Sequence, residues 1–196
     1  MVTLLQSNGV PLIIIMVSFV LMIGGTNASQ IFRYDRDAIL AGQVWRLITG
    51  HFVHLGWKHF VMNIAGLILI WLLFGRLISS WRWVVCIIVA ALFISLGLLV
   101  FNHDLKWYVG LSGVLHAMFV CGAIASILAG YRAEALLLVL LVGKLVWEQL
   151  YGALPGSASF AGGPVVVDAH LYGAIIGGIC ASFLIRKKKQ LTESPT

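Results

Sequence analysis

The sequence contains few charged residues. Only 10% of its 196 residues are Asp, Glu, Lys or Arg, against about 25% in a typical soluble domain. Hydrophobic residues make up 61% of the chain, which excludes an ordinary soluble domain and indicates a protein that crosses a membrane several times. Only three cysteines are present, all within apolar segments and without metal-ligand spacing. They are interpreted as small packing residues, and no disulfide is expected.

Long apolar runs predict membrane-spanning helices, because a span needs about 20 apolar residues. The first run lacks the basic segment of a signal peptide and is interpreted as a retained span. The predicted fold is an all-α membrane bundle in a single domain over residues 1–196, with spans at about 10–25, 59–78, 83–101, 111–130, 135–151 and 163–185 and an outer loop at 26–58. We expect an interfacial amphipathic helix in this loop, with Trp45 and Trp57 among the lipid headgroups.

The net charge of +6 does not indicate a nucleic-acid partner, because four basic residues, Arg186–Lys189, directly follow the last span. Such a cluster anchors a helix at the cytoplasmic face of anionic lipid. Six spans then place both termini in the cytoplasm. Spans two, four and six all begin at the outer face, and each carries polar residues near that end.

Ser112 begins the fourth predicted span, and His170 lies near the start of the sixth. A serine becomes a nucleophile when a neighbouring base accepts its proton, and histidine is the usual base near neutral pH. A polar or ionisable residue inside a membrane is costly and therefore a functional candidate. The pair predicts nucleophilic catalysis at the outer end of the bundle.

Glycines surround both candidates. Gly110 and Gly113 flank Ser112, where missing side chains would let a substrate backbone approach. Gly173 and Gly177 form a small-xxx-small face on the sixth span, which would let that helix pack closely against the fourth. This packing could bring His170 within hydrogen-bonding distance of Ser112.

Other polar residues share the same end of the bundle. His59 and Asn63 are four residues apart on the second span, so they face the same way and are candidate donors to an oxyanion, together with the Ser112 amide. His116, four residues after Ser112, could orient His170 or assist proton transfer. Asp168 lies about 200° around the helix from His170, so a Ser–His dyad is predicted rather than a triad.

Less specific interpretations exist for each motif. Gly-x-Ser-Gly and His-x-x-x-Asn both occur as ordinary helix-packing sequences, and only their combination on one face of the membrane favours catalysis. His51, His54 and His59 could bind a metal, but no nearby cysteine or carboxylate completes the set, so neither a metal nor a cofactor is predicted. Lys144 and Glu148, four residues apart on the fifth span, are expected to pair. Glu148 could alternatively contact substrate.

Taken together, the motifs resemble the rhomboid intramembrane serine proteases over nearly the whole chain. They are Gly110-Leu111-Ser112-Gly113, His59 with Asn63, Ala169-His170-Leu171-Tyr172-Gly173 with Gly177, and Trp45-Arg46 in the outer loop. His54, five residues before His59, also fits the family pattern at the approach to the second span. The resemblance implies Ser112 as nucleophile and His170 as base. It also implies an oxyanion hole formed by His59, Asn63 and the Ser112 amide.

One departure from the usual rhomboid pattern narrows the resemblance. Most rhomboids have tyrosine four residues after the serine, whereas this chain has His116. Gly-x-Ser-Gly-x-x-His resembles the rhombosortase subfamily, which implies a bacterial inner-membrane protease whose active site opens to the periplasm. Its implied partners are the bilayer and membrane proteins with a GlyGly-CTERM tail, consisting of a glycine-rich motif, one membrane helix and a basic end. The cleaved protein would be released by water or transferred to an acceptor.

Three other functions are compatible with parts of the sequence. The chain could be a general rhomboid protease with different substrates, or a non-catalytic relative that binds membrane proteins. A transporter is disfavoured, because transport would require polar residues through the full membrane depth, whereas those of this chain cluster at one face.

Overall fold

The computed structural model describes the backbone of residues 2–192 and the side chains of residues 8–183. In chain order the elements are α1 (Val2–Ile23), α2 (Gly25–Phe32), β1 (Tyr34–Asp35), α3 (Arg36–Leu40), α4 (Arg46–Thr49), a 3-10 turn (Gly50–Phe52), α5 (Trp57–Phe74), α6 (Ser80–Phe101), β2 (Trp107–Tyr108), α7 (Ser112–Leu128), α8 (Glu134–Tyr151), α9 (Ser157–Ala161) and α10 (Val167–Thr192). The predicted all-α class is confirmed, apart from two strands of two residues each.

Every predicted span contains one long helix, although the ends differ. Within the described residues, α5 and α6 are long and apolar enough to cross a membrane, and α1 with α2 forms a third candidate that is bent by 117°. α7 and Val167–Phe183 are shorter apolar helices, and α8 contains three charged residues. The chain is therefore a multi-pass helical membrane protein, whereas six spans and cytoplasmic termini stay predictions. The side chains of Arg186–Lys189 lie outside the described part.

The outer loop is largely helical, as its length suggested. A sharp bend separates α1 from α2 at Gly24, where a Cβ would lie 2.6 Å from the Ala28 Cβ, and at Gly25, which has a φ of +59°. α2 has no buried residue, and Trp45 and Trp57 are both exposed. This exposure is compatible with the predicted position among lipid headgroups.

Arg46 holds the outer loop together. Its guanidinium is buried and donates to the carbonyl oxygens of Gln30 and Arg33, both at 2.9 Å, and to Gln43 Oε1 at 2.8 Å. Thr49 Oγ1 donates to the Phe32 carbonyl at 2.6 Å. Because two side chains of this short helix make four hydrogen bonds, three of them to residues 30–33, α4 holds the first part of the loop in place.

The two strands tie this loop to the segment before α7. β1 and β2 pair antiparallel with Tyr34 opposite Tyr108. The Gly110 amide donates to the Gly50 carbonyl at 3.2 Å, and the Tyr108 hydroxyl donates to the Gly110 carbonyl at 2.7 Å. The backbone that leads into Ser112 is therefore fixed from both sides.

α7 lies at the centre of the bundle and contacts α5, α6, α8 and α10. Val114, Met118 and Cys121 on this helix are fully buried, as its central position requires. α8 lies at the edge, where only Leu145 and Glu148 are buried. A residue at the start of α7 is thus surrounded by protein, with the edge helix α8 on one side.

Candidate active site

Ser112 and His170 are in contact at one end of the bundle, as the sequence predicted. Ser112 is the first residue of α7, and His170 lies in the first turn of α10. Ser112 Oγ lies 2.9 Å from His170 Nε2, which is a hydrogen-bonding distance. His170 is buried, with 5% of its surface exposed. A hydroxyl and a base are therefore in direct contact.

Close packing of α7 against α10 sets this distance. Three glycines form the contact, and we call them the glycine seam: Gly113, Gly173 and Gly177. A Cβ on Gly173 would overlap the Gly113 carbonyl oxygen, and one on Gly177 would overlap the Ala117 carbonyl oxygen. The predicted packing role of Gly173 and Gly177 thus has a direct geometric basis.

Gly113 lies against the backbone of α10, whereas the sequence predicted open space for substrate beside it. A Cβ at this position would lie 2.8 Å from the Ala169 carbonyl oxygen, so its missing side chain allows the close approach of α10. The predicted role of Gly113 in substrate approach stays a prediction. The residue is glycine because two helix backbones meet there.

The predicted dyad omits a third residue, Glu148 of α8. Its Oε2 and Oε1 lie 3.0 Å and 3.2 Å from His170 Nδ1, and its carboxylate is buried. The sequence suggests only Asp168 as a third residue, because this acidic neighbour lies on the same helix as His170. A carboxylate on another helix cannot be placed from the sequence, although an acidic residue within a span was a signal that it mattered.

Asp168 instead joins α10 to α6. Asn102 Nδ2 donates to Asp168 Oδ2, and the Tyr172 hydroxyl donates to Asn102 Oδ1 at 3.0 Å. The prediction that Asp168 points away from His170 is consistent with these contacts, which give the residue a structural partner.

The three contacts of His170 specify where its proton lies. A carboxylate only accepts hydrogen bonds, so Nδ1 of a neutral His170 donates to Glu148. Nε2 then carries a lone pair and accepts the Ser112 hydroxyl proton. This is the arrangement in which an imidazole acts as a general base towards a serine, with the carboxylate fixing its tautomer.

His59 lies beside Gly110, at the mouth of the site. The Leu55 amide approaches His59 Nδ1 at 3.4 Å, which assigns the ring proton to Nε2. A Cβ on Gly110 would lie 2.8 Å from His59 Cε1 and 3.0 Å from its Nε2, and Gly110 has a φ of +128°. The missing side chain of Gly110 therefore accommodates the imidazole of His59, whereas substrate approach at Gly110 stays a prediction.

Asn63 is buried one turn further along α5, and its Nδ2 donates to the His59 carbonyl at 3.1 Å. An amide nitrogen carries two protons, so one remains for a second acceptor. His59 and Asn63 thus lie on the same side of α5, as their spacing predicted.

His116 stacks on His170, with ring centroids 4.3 Å apart and an interplanar angle of 15°. Its Nδ1 lies 2.7 Å from the Ser112 carbonyl oxygen, and its Nε2 lies 2.9 Å from Lys144 Nζ. Lys144 Nζ also contacts Glu148 Oε2 at 2.7 Å, which confirms the predicted pairing of these two residues.

A metal ion would find three ligand atoms here. Among the described residues, His116, Glu148 and His170 present theirs within 4.8 Å of one another. The ammonium group of Lys144 contacts all three side chains, so this chain provides its own cation at that position. The set differs from His51, His54 and His59, which the sequence offered as the metal alternative.

His51 and His54 are structural residues of the outer loop. His51 Nε2 lies 3.0 Å from both the Ala91 carbonyl oxygen and Ser95 Oγ, and burial lowers the pKa of His51 to about 4. His54 packs edge-on against His59 with centroids 5.1 Å apart. Burial, aided by the nearby His59, lowers the pKa of His54 to about 3. Both rings are therefore neutral near pH 7.

A cavity of about 230 Å³ opens beside Ser112, between α5, α7 and α8. Its walls are almost entirely apolar: Gly66, Leu69, Ile70, Leu115, Phe119 and Leu141 line it, with Ser112 and His116 at one end. An apolar side chain can therefore lie within reach of the Ser112 hydroxyl.

Comparison with known families agrees with this architecture. The model of the Rhomboid domain family matches residues 41–188, a range that contains every residue of the candidate site. No curated protein matches the chain.

Proposed function

The chain belongs to the rhomboid family of intramembrane serine proteases, and we propose that it cleaves membrane-spanning proteins with Ser112 as nucleophile and His170 as general base. The 2.9 Å contact between Ser112 Oγ and His170 Nε2 carries this proposal. A hydroxyl in hydrogen-bonding contact with a neutral imidazole is the arrangement that nucleophilic catalysis by serine needs.

In the first step, Ser112 Oγ attacks the scissile carbonyl carbon while its proton moves to His170 Nε2. The C–N bond of the tetrahedral intermediate then breaks, and His170 returns the proton to the leaving amine. Water attacks the acyl-enzyme carbonyl carbon and passes a proton to His170. The bond between this carbon and Ser112 Oγ then breaks, His170 returns the proton to Oγ, and the new carboxyl group is released. Glu148 accepts a hydrogen bond from His170 Nδ1 throughout, remains ionised, and stabilises the transient imidazolium.

The oxyanion of each intermediate needs donors that are already in place. His59 Nε2 and the Ser112 amide at the start of α7 are suitable, since the first N–H groups of a helix lack an intrahelical partner. The second amide proton of Asn63 is a third candidate. Together they form a hole on the side of Ser112 that faces α5.

Labelling with a fluorophosphonate tests the nucleophile directly. The purified protein should become labelled at Ser112, whereas Ser112→Ala should remove labelling and His170→Ala should reduce it by at least about 1,000-fold. Ser126→Ala is the matched control, because Ser126 is a buried serine on the same helix. Undiminished labelling of Ser112→Ala would show that another residue reacts, and would overturn the proposal.

For substrates, we propose single-span proteins with a glycine-rich C-terminal tail, as the resemblance to rhombosortases implies. A nucleophile reaches a peptide carbonyl only after the substrate helix unwinds. Glycine costs about 1 kcal/mol in a helix relative to alanine, so a Gly-Gly segment unwinds more readily. The protein would then lie in a bacterial inner membrane with Ser112 opening to the periplasm.

Co-expression with a Gly-Gly-tailed membrane protein tests this substrate class. Mass spectrometry of the new C-terminus gives the scissile bond, and it separates a free acid from an adduct with an acceptor. The matched substrate replaces Gly-Gly by Leu-Leu, and His116→Tyr tests the subfamily residue. If both tails are cleaved equally, the chain is a general rhomboid protease. If neither tail is cleaved and Ser112 is not labelled, the non-catalytic alternative is favoured.

A further inference from the structure

Five polar side chains form a closed ring of hydrogen bonds at the start of α7, and two of them, His116 and Lys144, have no part in the reaction described above. The contacts run from Ser112 Oγ to His170 Nε2, from His170 Nδ1 to Glu148, from Glu148 to Lys144 Nζ, from Lys144 Nζ to His116 Nε2, and from His116 Nδ1 to the Ser112 carbonyl. The ring therefore begins and ends on the same residue.

The ammonium group determines where the protons of the ring lie. Lys144 Nζ has donors only, so His116 Nε2, at 2.9 Å, must accept. The proton of His116 then sits on Nδ1, where it is donated to the Ser112 carbonyl at 2.7 Å. A doubly protonated His116 would present an N–H to the ammonium, so the contact requires His116 to be neutral.

Glu148 is the other partner of the ammonium. Its carboxylate is buried, and a buried charge is expensive unless it is paired. Lys144 at 2.7 Å supplies the opposite charge, which keeps Glu148 ionised and able to accept from His170 Nδ1. With Glu148 ionised and His116 neutral, one assignment of protons satisfies all five contacts of the ring.

We propose that Lys144 is a positioning residue that fixes this proton arrangement, so that His170 presents an unprotonated Nε2 to Ser112. The proposal rests on the proposed function. Lys144 Nζ also lies 3.3 Å from His170 Nδ1. When the His170 imidazole is protonated, these two positively charged groups repel each other. The cation thus opposes an imidazolium that persists, and favours prompt return of the proton to the leaving amine.

The pH profile of fluorophosphonate labelling tests this role, because a residue with only a structural role lowers the rate without moving the profile. The acid limb of the profile is the pH range in which the labelling rate falls as His170 becomes protonated. In Lys144→Met the His170 imidazolium loses a repulsive neighbour, so this limb should move to higher pH by about one unit. Lys144→Arg keeps the charge and should keep the limb close to its wild-type position. Lys106→Met is the matched control, since it removes the same charge from an exposed site in the outer segment.

The Lys144 variants do not substitute the other titratable or charged groups around His170. They are His116 on α7, Glu148 on α8, His59 on α5 and Asp168 on α10 itself. A shift in Lys144→Met can therefore be attributed to loss of the ammonium, which acts on His170 directly and through Glu148. If the acid limb of Lys144→Met coincides with that of the wild type, Lys144 has only a structural role and the proposal is overturned.

Lys144→Met leaves a buried carboxylate with one partner fewer, and this variant can fail to fold. A second comparison then applies, between Glu148→Gln and the double variant Glu148→Gln/Lys144→Met, in which no unpaired carboxylate remains. The double variant should have its acid limb at the higher pH, and equal limbs contradict the proposal. Failure of the proposed function is distinguishable, because the wild type itself would then show no labelling at Ser112.

Discussion

α10 and α8 contact the start of α7 in opposite ways. At the glycine seam, α10 meets α7 backbone to backbone, with no space for a methyl group at Gly173 or Gly177. α8 reaches the same region through the long side chains of Lys144 and Glu148, and few of its other residues are buried. The Ser112–His170 distance is therefore set by packed helices, whereas the position of the third group depends on side-chain rotamers.

This difference separates two kinds of sensitivity. Protein interiors are close-packed, so a single added methyl at a backbone contact forces the helices apart. A side-chain contact fails more locally: the helix stays in place and one hydrogen bond is lost. The seam should therefore be sensitive to volume, and α8 should be sensitive to charge and to the identity of the hydrogen-bonding atom.

The largest effect is expected at the seam. In Gly173→Ala the new Cβ would overlap the Gly113 carbonyl oxygen, so α10 must move away and His170 loses contact with Ser112. We expect no measurable labelling and a lower unfolding temperature in detergent. Gly178→Ala is the matched control, because nothing lies within 4 Å of its Cβ. Equal activity in the two variants would show that the seam does not set the geometry.

A change of charge on α8 should lower the rate while the fold stays intact. Glu148→Gln keeps the volume but replaces an acceptor of the His170 Nδ1 proton by an amide that can donate. We expect the labelling rate to fall by about 100- to 10,000-fold, as for other catalytic carboxylates, with an unchanged unfolding profile. Glu134→Gln makes the same change at the far end of α8. A fall of less than threefold in Glu148→Gln would mean that Ser112 and His170 act without a third residue.

A third case lies on the opposite side of Ser112, where Gly110 contacts the His59 ring. Gly110→Ala places a Cβ 2.8 Å from His59 Cε1 at a φ of +128°, so the imidazole must leave its position. Loss of one oxyanion donor typically costs about 100- to 1,000-fold in kcat. Gly130→Ala has a comparable φ of +102° with nothing within 4 Å, and it separates backbone strain from displacement of His59. If the two variants lose the same activity, His59 does not act on the oxyanion.

The same contrast explains what the sequence could and could not predict. The small residues of the seam and the i,i+4 spacing of His59 and Asn63 are local patterns, so they placed α10 beside α7 and located the site. Glu148 escaped prediction because its partner is on another helix, and no periodicity relates the rotation of α8 to that of α10. The contacts of Gly110 with His59 and of Gly113 with α10 could not be predicted, because a sequence does not show which neighbour fills the space beside a glycine.

The smallest effect is expected in the outer loop, where His51 supports the segment before α7 through a side-chain contact with α6. Its pKa is about 4 in the folded protein and about 6.5 in an unfolded chain. Between these values the unfolded state binds a proton that the folded state does not. The contribution of neutral His51 to the free energy of unfolding is therefore fully present above about pH 6.5 and is lost as the pH drops towards 4. The loss reaches about 3 kcal/mol. Thermal unfolding at stepped pH should show this fall in the wild type and in His103→Gln, which changes an exposed histidine. His51→Gln has no ring to protonate, and its profile should be flatter; if its slope equals that of the wild type, another buried group is responsible for the acid sensitivity.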